Sequence, residues 1–132
     1  MLVVVLFGGL FAIWYVMKCR YENYLESDPI VVHLKTKLIP VFPQFKSVKV
    51  LKGTSSYTID KSKIYLCTEH NGTTYDENLL TYVLLHELAH TINEQVGHGI
   101  EFQSIFGRLL IVAERNGLYD PSKPRIENYC KS

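Results

Sequence analysis

The segment His86-Glu87-Leu88-Ala89-His90 has the residue types and spacing that most clearly indicate chemistry. If the segment is helical, its two histidines lie one turn apart on the same side, so both imidazoles can bind one metal ion. Glu87 follows His86 directly along the helix, and its carboxylate can reach a water molecule on that metal. Zinc suits this set because it accepts imidazole nitrogen and keeps one position open in catalytic sites. The spacing therefore predicts a zinc site with a carboxylate beside it.

The reaction expected from such a site is hydrolysis of a peptide bond. Zinc lowers the pKa of its bound water to about 7, and Glu87 can take the released proton as the water attacks. The same glutamate can then pass that proton to the leaving amine. The alternative is a pair of ordinary core histidines, but such polar groups are costly in an otherwise apolar helix. We therefore expect a zinc metallopeptidase, with Zn²⁺ as cofactor and a protein or peptide as substrate.

A zinc site of this kind needs a third protein ligand, and His98 is the main candidate. It follows His90 by eight positions, between two glycines that would let the chain fold back under the metal. The alternative ligand is a carboxylate farther along the chain, Glu101 or Glu114. If His98 is the ligand, Glu101 lies one turn away and can instead orient its ring. His33 and His70 have no motif around them, and Glu94 lies one turn past His90. All three are expected at the surface.

The residues around the motif predict two consecutive helices that position these side chains. The first covers residues 77–94, with a capping box from Thr74 to Glu77 or with Asp76 as its N-cap. Its apolar residues recur at helical spacing over a broad face, so we expect it to be central and mostly buried. Glycines separate it from a second helix over residues 100–116, after which Gly117 is placed as the C′ residue.

The residues before the motif predict one further helix and several short strands, which together indicate an α+β fold. Asp28 and Pro29 sit where an N-cap and a first helical residue belong, ahead of a helix over residues 30–39. The strand-like runs are residues 47–51, 57–59 and 64–68, the last two joined by a hairpin turn at residues 60–63.

The N-terminal block, residues 2–17, contains no charged side chain and predicts a single membrane span. Trp14 and Tyr15 lie at its end, where an interfacial aromatic belt belongs, and Lys18 and Arg20 follow. These two charges favour the cytoplasmic side for the rest of the chain. A cleaved signal peptide and a buried core helix are the alternatives. The predicted organisation is an anchor over 1–20, a polar linker over 21–29 and a catalytic domain over 30–132.

Composition restricts the partners and the cysteine chemistry. The formal net charge is +1, with 14 Lys and Arg against 13 Asp and Glu, and no basic stripe indicates a nucleic-acid partner. The cysteines do not form a CxxC pair, so they are expected to be free thiols. A bridge between Cys67 and Cys130 is left open for an oxidising compartment. Asn71-Gly72-Thr73 is an acceptor sequon, but Asn-Gly is also a common turn pair, and we favour the turn.

The motif residues, together with Gly97-His98-Gly99-Ile100-Glu101-Phe102, resemble the SprT-like and WLM-type metallopeptidases. This resemblance covers roughly residues 57–117 and is most specific over residues 84–102. It implies that His86, His90 and His98 bind zinc and that Glu87 is the catalytic base, with Phe102 as a packing anchor.

The resemblance also implies a fold, a minimal zincin in which a small sheet packs on the active-site helix. The strand at residues 64–68 would be the edge that binds an extended peptide by strand addition. The DNA-binding segments and the role in clearing DNA-crosslinked proteins known in these families are not carried over. In its small size and its membrane anchor, the chain resembles uncharacterised metallopeptidases of large DNA viruses.

Two other functions fit parts of the same pattern. One is a non-catalytic zinc-binding module, although an intact Glu87 would then have no use. The other resembles the integral-membrane gluzincins, in which a glutamate is the third ligand. A single short hydrophobic segment disfavours that class.

Overall fold

The computed structural model describes residues 2–126 and 129–130, and these form an α+β fold. Its first half holds two helices, α1 and α2, followed by a 3-10 helix at Pro43–Ser47. Five short strands come next, and two long helices close the described fold. The elements are α1 (Leu2–Glu26), α2 (Pro29–Leu38), β1 (Lys49–Lys52), β2 (Tyr57–Ile59), β3 (Lys63–Leu66), β4 (Glu69–His70), β5 (Thr73–Thr74), α3 (Glu77–Ile92) and α4 (Ile100–Arg115).

Side-chain caps and a glycine set the ends of the predicted helices. Asp28 caps α2 by accepting hydrogen bonds from the backbone N–H groups of Ile30 and Val31, each at 3.2 Å, as expected. Asp76 caps α3 through the N–H of Asn78 at 3.0 Å, whereas Thr74 lies in β5, so the capping-box alternative is wrong. α4 ends before Gly117, whose φ of 70° is in the left-handed region that suits a C′ glycine.

The main sheet has the strand order β1-β3-β2. β2 and β3 form the predicted antiparallel hairpin, and Asp60 and Lys61 at its turn have φ of 51° and 54°. β1 pairs with the other side of β3 in parallel, with Val50 opposite Ile64. The prediction that residues 64–68 form the edge is therefore wrong, because β3 is paired on both sides and β2 is an edge.

A second, two-stranded hairpin joins β4 and β5, and Asn71 and Gly72 form its turn with φ of 51° and 80°. The Asn-Gly pair is thus a turn, as favoured.

The core lies between the main sheet and the helices that cover one of its faces. α3 contacts β2, β3 and α4, and its leucines are buried against Ile64 and Leu66 of β3. Each fully buried leucine or isoleucine side chain contributes roughly 1.5–3 kcal/mol to the free energy of unfolding. The buried side chains of α3 and its neighbours include Leu34, Leu38, Phe45, Val50, Leu80, Leu84, Leu85, Leu88, Phe102 and Phe106. α3 is therefore part of the core.

α1 is continuous through Glu26, so residues 21–26 are not the polar linker that their composition predicted. The reason is an ion pair that joins the end of the helix to the sheet. Glu22 lies 2.7 Å from the Nζ atom of Lys63 and 3.7 Å from that of Lys49. Its side chain is only 12% exposed. Polar residues here extend the helix and attach it to β1 and β3.

The preceding part of α1 is apolar and projects away from the core. Its side chains are exposed, for example Val4 at 74% and Phe11 at 66%. The segment Val4–Glu26 is long and apolar enough to cross a membrane, and an N-terminal signal sequence meets the same criterion. So extensive an apolar surface needs a nonaqueous environment or a partner.

Cys67 and Cys130 form a disulfide, which corrects the expectation of free thiols, while Cys19 is free. The bridge spans a sequence separation of 63. Tyr129 fixes the same junction, since its hydroxyl bonds to the carbonyl of Cys67 and lies 2.7 Å from the hydroxyl of Ser56. Tyr129 and Cys130 are therefore attached beside the ends of β2 and β3.

Candidate metal centre

The three predicted histidines reach one place because α3 ends between the second and the third of them. His86 and His90 lie on the last turns of α3, and the buried Asn93 then takes an extended conformation. Gly97 has a φ of 101°, which only glycine adopts without strain, and this turn brings His98 back to α3. The Nζ atom of Lys61, in the β2–β3 turn, donates to the carbonyl of Asn93 and attaches the returning loop to the sheet.

The ring nitrogens of these histidines converge on one point. The Nε2 atom of His98 lies 3.0 Å from that of His90 and 3.2 Å from that of His86. The ligand atoms of all three lie within 4.8 Å of one another. In tetrahedral coordination with Zn–N bonds of about 2.05 Å, ligand nitrogens are about 3.3 Å apart, close to the two distances measured from His98. The geometry fits three ligands of a tetrahedral metal with one open position.

Hydrogen bonding alone does not satisfy this arrangement. A neutral imidazole nitrogen either donates or accepts, so mutually facing Nε2 atoms cannot all pair with one another. A cation accepts all three lone pairs at once. The donor set is nitrogen only, which suits zinc and other imidazole-binding transition metals and does not suit calcium or magnesium.

Phe102 forms the wall behind the three imidazoles. Its ring is fully buried and stacks on His90 with centroids 4.4 Å apart. It also meets the rings of His98 and His86 edge-on, at 4.8 Å and 5.0 Å. Phe106 contacts the other side of His86, at 5.1 Å. The predicted packing anchor thus contacts the rings of all three candidate ligands.

Burial keeps His86 and His90 in the neutral form that can bind a metal. It lowers the pKa of His86 to about 4, with smaller contributions from the neighbouring rings of His90 and His98. The pKa of His90 is also lowered, by burial and then by His98. Protonated imidazole cannot bind a metal, so both rings are neutral and available at physiological pH.

Glu87 lies beside the histidines and is almost entirely buried, at 7% exposed. Thr58 of β2 donates its hydroxyl to Glu87 Oε2 at 2.6 Å and also lies 3.2 Å from the Glu87 carbonyl oxygen. Burial raises the pKa of the Glu87 carboxyl, although the Thr58 hydrogen bond and the nearby His98 act in the opposite direction. Oε1 has no hydrogen-bond partner among the described residues and is free to accept a proton from a water.

An open cleft of about 520 Å³ gives access to this group. Its walls are the histidines and Glu87 on one side, the β2 edge on another, and the loop with Gln95 and Val96 on a third. Sequence reasoning found the histidines and Glu87 but missed Thr58. A threonine in a three-residue strand gives no local signal, and only the packing of β2 on α3 shows its role.

The other acidic candidates lie outside the cluster. Glu101 and Glu114 are exposed, and the metal-binding group contains neither of them. Among residues 2–126, Glu101 makes no hydrogen bond to any of the three rings. No contact therefore supports its predicted role in orienting the His98 ring. The three remaining candidates, His33, His70 and Glu94, are exposed as expected.

Comparison with known proteins gives uncharacterized viral proteins as relatives. The chain is 43% identical over 89 residues to an uncharacterized protein of Invertebrate iridescent virus 6, covering 64% of this chain and 50% of that protein. It is 42% identical over 88 residues to one of Invertebrate iridescent virus 3, covering 65% and 55%. An uncharacterized protein of Acanthamoeba polyphaga mimivirus is 38% identical over 111 residues, covering 74% and 54%.

The chain therefore spans about half the length of the curated relatives it matches. No family model matches the chain, and no solved structure matches it.

Proposed function

We propose that this chain is a zinc-dependent metallopeptidase of the minimal zincin type, tethered to a membrane by α1. The observation that carries the proposal is the convergence of three imidazole nitrogens, with that of His98 3.0 Å and 3.2 Å from the other two, and with Glu87 one residue from His86. A metal site without chemistry would have no need for a buried carboxylate with one free oxygen beside it. The SprT-like and WLM-type resemblance supports the same assignment.

His86, His90 and His98 would hold zinc, which supplies a Lewis acid and lowers the pKa of a bound water to about 7. The Oε1 atom of Glu87 accepts the proton of the attacking water, while Thr58 holds Oε2 and prevents the carboxylate from rotating. The raised pKa of the Glu87 carboxyl makes it a stronger base than an exposed glutamate. Once protonated, the same side chain donates to the leaving amine.

The β2 edge would bind the substrate. Tyr57 and Ile59 are 43% and 39% exposed, and the main sheet has no strand beyond β2 among the described residues. An extended peptide can pair with such an edge through main-chain hydrogen bonds. Because Thr58 of this strand bonds to Glu87, a peptide on β2 lies next to the catalytic base.

Glu87→Gln tests the proposal. Glutamine keeps the shape but cannot take a proton, so cleavage of an unfolded protein such as casein should fall by at least about a hundredfold while zinc stays bound. Glu101→Gln makes the same charge change at an exposed position and is the control, with cleavage unchanged. Equal cleavage by the parent and Glu87→Gln would contradict the proposal. If the parent binds zinc but cleaves no substrate, the alternative function as a non-catalytic zinc-binding module is favoured.

Two features of the chain indicate on which side of the membrane the folded part lies, and they favour opposite sides. Lys18 and Arg20 favour the cytoplasmic side, whereas the disulfide between Cys67 and Cys130 favours an oxidising compartment. We propose the oxidising side, because a buried disulfide is part of the fold and two charges are a small bias. Thiol alkylation of the protein in cells, before and after reduction, tests it, and two alkylatable thiols at Cys67 and Cys130 without reductant would contradict it.

A further inference from the structure

A second cleft, of about 540 Å³, opens where α1 meets the main sheet. Four tyrosines line it: Tyr21 and Tyr24 of α1, Tyr57 of β2 and Tyr65 of β3. Tyr57 and Tyr65 are opposite each other in the hairpin, and their rings stack with centroids 4.9 Å apart. We refer to this cleft, defined by the four tyrosines, as the aromatic pocket.

The aromatic pocket lies on the face of the sheet away from the metal centre. Side chains alternate between faces along a strand. Thr58 points to α3 and bonds to Glu87, so its neighbour Tyr57 points the other way. The same alternation in β3 buries Ile64 and Leu66 against the helices and places Tyr65 on the outer face.

The α1 wall of the pocket is held in place and lies close to the end of the apolar block. The ion pair from Glu22 to Lys63, at 2.7 Å, fixes the helix between Tyr21 and Tyr24 on the sheet. Tyr24 is seven residues beyond Met17, the last residue of the apolar block, which is about 10 Å at 1.5 Å per residue. If α1 spans a membrane, the aromatic pocket is therefore near the membrane surface.

The pocket and the metal cleft meet at the edge strand. Tyr57 lines both of them. A peptide paired with β2 also alternates its side chains between the two faces of the sheet. Side chains on the Thr58 face enter the metal cleft, and the side chains between them reach the aromatic pocket. A bound substrate would therefore use both clefts at once.

We propose that the aromatic pocket selects the substrate, a segment near the membrane surface that carries a large apolar or aromatic side chain. This inference rests on the proposed peptidase function. The stacked pair of Tyr57 and Tyr65 offers a flat apolar surface, and Tyr21 and Tyr24 can close over an inserted ring. Because two of the four tyrosines belong to α1, the membrane helix would be part of the specificity site and not only a tether.

The test uses the full chain, loaded with zinc, in phosphatidylcholine vesicles. Peptides that differ only by phenylalanine or alanine at each position in turn are compared by kcat/KM. The parent should prefer phenylalanine to alanine by about tenfold at the peptide position that faces the aromatic pocket. The same preference is expected two residues away, on the same face of the sheet, but not at the adjacent positions, which face the metal cleft. Tyr24→Ala should reduce that ratio severalfold, whereas Tyr24→Phe should retain it. Val32→Ala, at an exposed position on α2, is the control and should behave as the parent.

A second arm tests the location of the substrate. The preferred peptide is attached to the vesicle by a short flexible linker or by a stiff proline-rich spacer of about 50 Å. Faster cleavage with the short linker is expected, and equal rates would overturn the membrane-surface assignment. An equal phenylalanine preference in the parent and Tyr24→Ala would overturn the aromatic pocket alone. If the zinc-loaded parent cleaves none of the peptides, nor casein, the proposed peptidase function itself fails.

Discussion

His33 and the histidines of the candidate metal centre lie in two regions that offer the same side chain different partners. His33 is 62% exposed, and its Nε2 atom lies 3.1 Å from a Glu77 oxygen that also accepts from Lys37 at 3.0 Å. That carboxyl has its pKa lowered, by the Lys37 hydrogen bond most strongly and also by His33. His33 and Lys37 thus share one exposed acid at the surface.

The three histidines of the metal centre have no such partner. No carboxylate hydrogen-bonds to their rings within residues 2–126, and Phe102 covers one side of them. Their lone pairs face one another instead of an acid. Burial lowers the pKa of His86 and His90 and keeps these two rings neutral, whereas the exposed His33 contacts an acid in a surface ion pair.

Removing one ligand should produce the largest difference between the two regions. His98→Ala leaves two imidazoles, and zinc affinity should fall by roughly a thousandfold, more than the 10–100-fold typical of losing an outer contact. His33→Ala should bind zinc as the parent does, because its ring contacts only the surface acid. Competition with a chromophoric chelator measures both affinities. If His98→Ala binds zinc as tightly as the parent does, another residue must be the third ligand.

Phe102→Ala should produce the next largest effect, because it removes a fully buried ring. The free energy of unfolding should fall by about 3–5 kcal/mol, and zinc affinity should also fall since all three imidazoles lose their support. Phe45→Ala is matched in burial, but its ring pairs with Phe42 and not with the histidines. It should lose similar stability and keep its zinc affinity. If both variants lose affinity equally in the folded protein, Phe102 has no special role at the site.

Thr58→Val should have a smaller effect that is confined to activity. Valine keeps the shape of the strand residue but cannot donate to Glu87, so the carboxylate is free to rotate away from the water. We expect kcat to fall by about ten- to a hundredfold, with zinc content retained. Thr36→Val, at an exposed position on α2, is a control of the same chemistry. Unchanged kcat in Thr58→Val would mean that Glu87 needs no positioning partner.

The sequence predicted the parts of this molecule that depend on local spacing. The i, i+4 relation of His86 and His90, the Asp28 cap and the Gly117 stop each involve residues within a few positions. The parallel pairing of β1 with β3 joins residues 14 positions apart, Lys49 and Lys63 for example, and no local pattern encodes it. Thr58 was missed for the same reason, since its contact with Glu87 crosses 29 positions.

Composition misled where long-range contacts decide the structure. Residues 21–26 are polar enough to be taken for a linker, but the ion pair from Glu22 to Lys63 makes them the docked end of a helix. Cys67 and Cys130 are far apart in sequence, and only the packing of the tail beside β3 brings their Cα atoms within 6.3 Å.

The smallest expected effect is on the pH dependence of the metal-free protein. The pKa of His86 is about 4 in the folded state and 6.5 for an unperturbed side chain, so the unfolded chain binds more protons between these values. The free energy of unfolding should therefore decrease as the pH falls from about 6.5 to about 4, and level off below. His86→Gln should show a shallower decrease in urea unfolding, whereas His33→Ala should retain the slope of the parent. Identical slopes in the parent and His86→Gln would contradict the assignment.

The zinc content and metal coordination of the parent protein test the three-histidine site without any substitution. Elemental analysis of the purified full chain should give about one zinc per molecule, and X-ray absorption at the zinc edge should show three imidazole nitrogens and one oxygen near 2.0–2.1 Å. That result is the one predicted from the convergence of His86, His90 and His98. A folded parent that binds no zinc, or a site with sulfur or additional carboxylate ligands, would contradict the account.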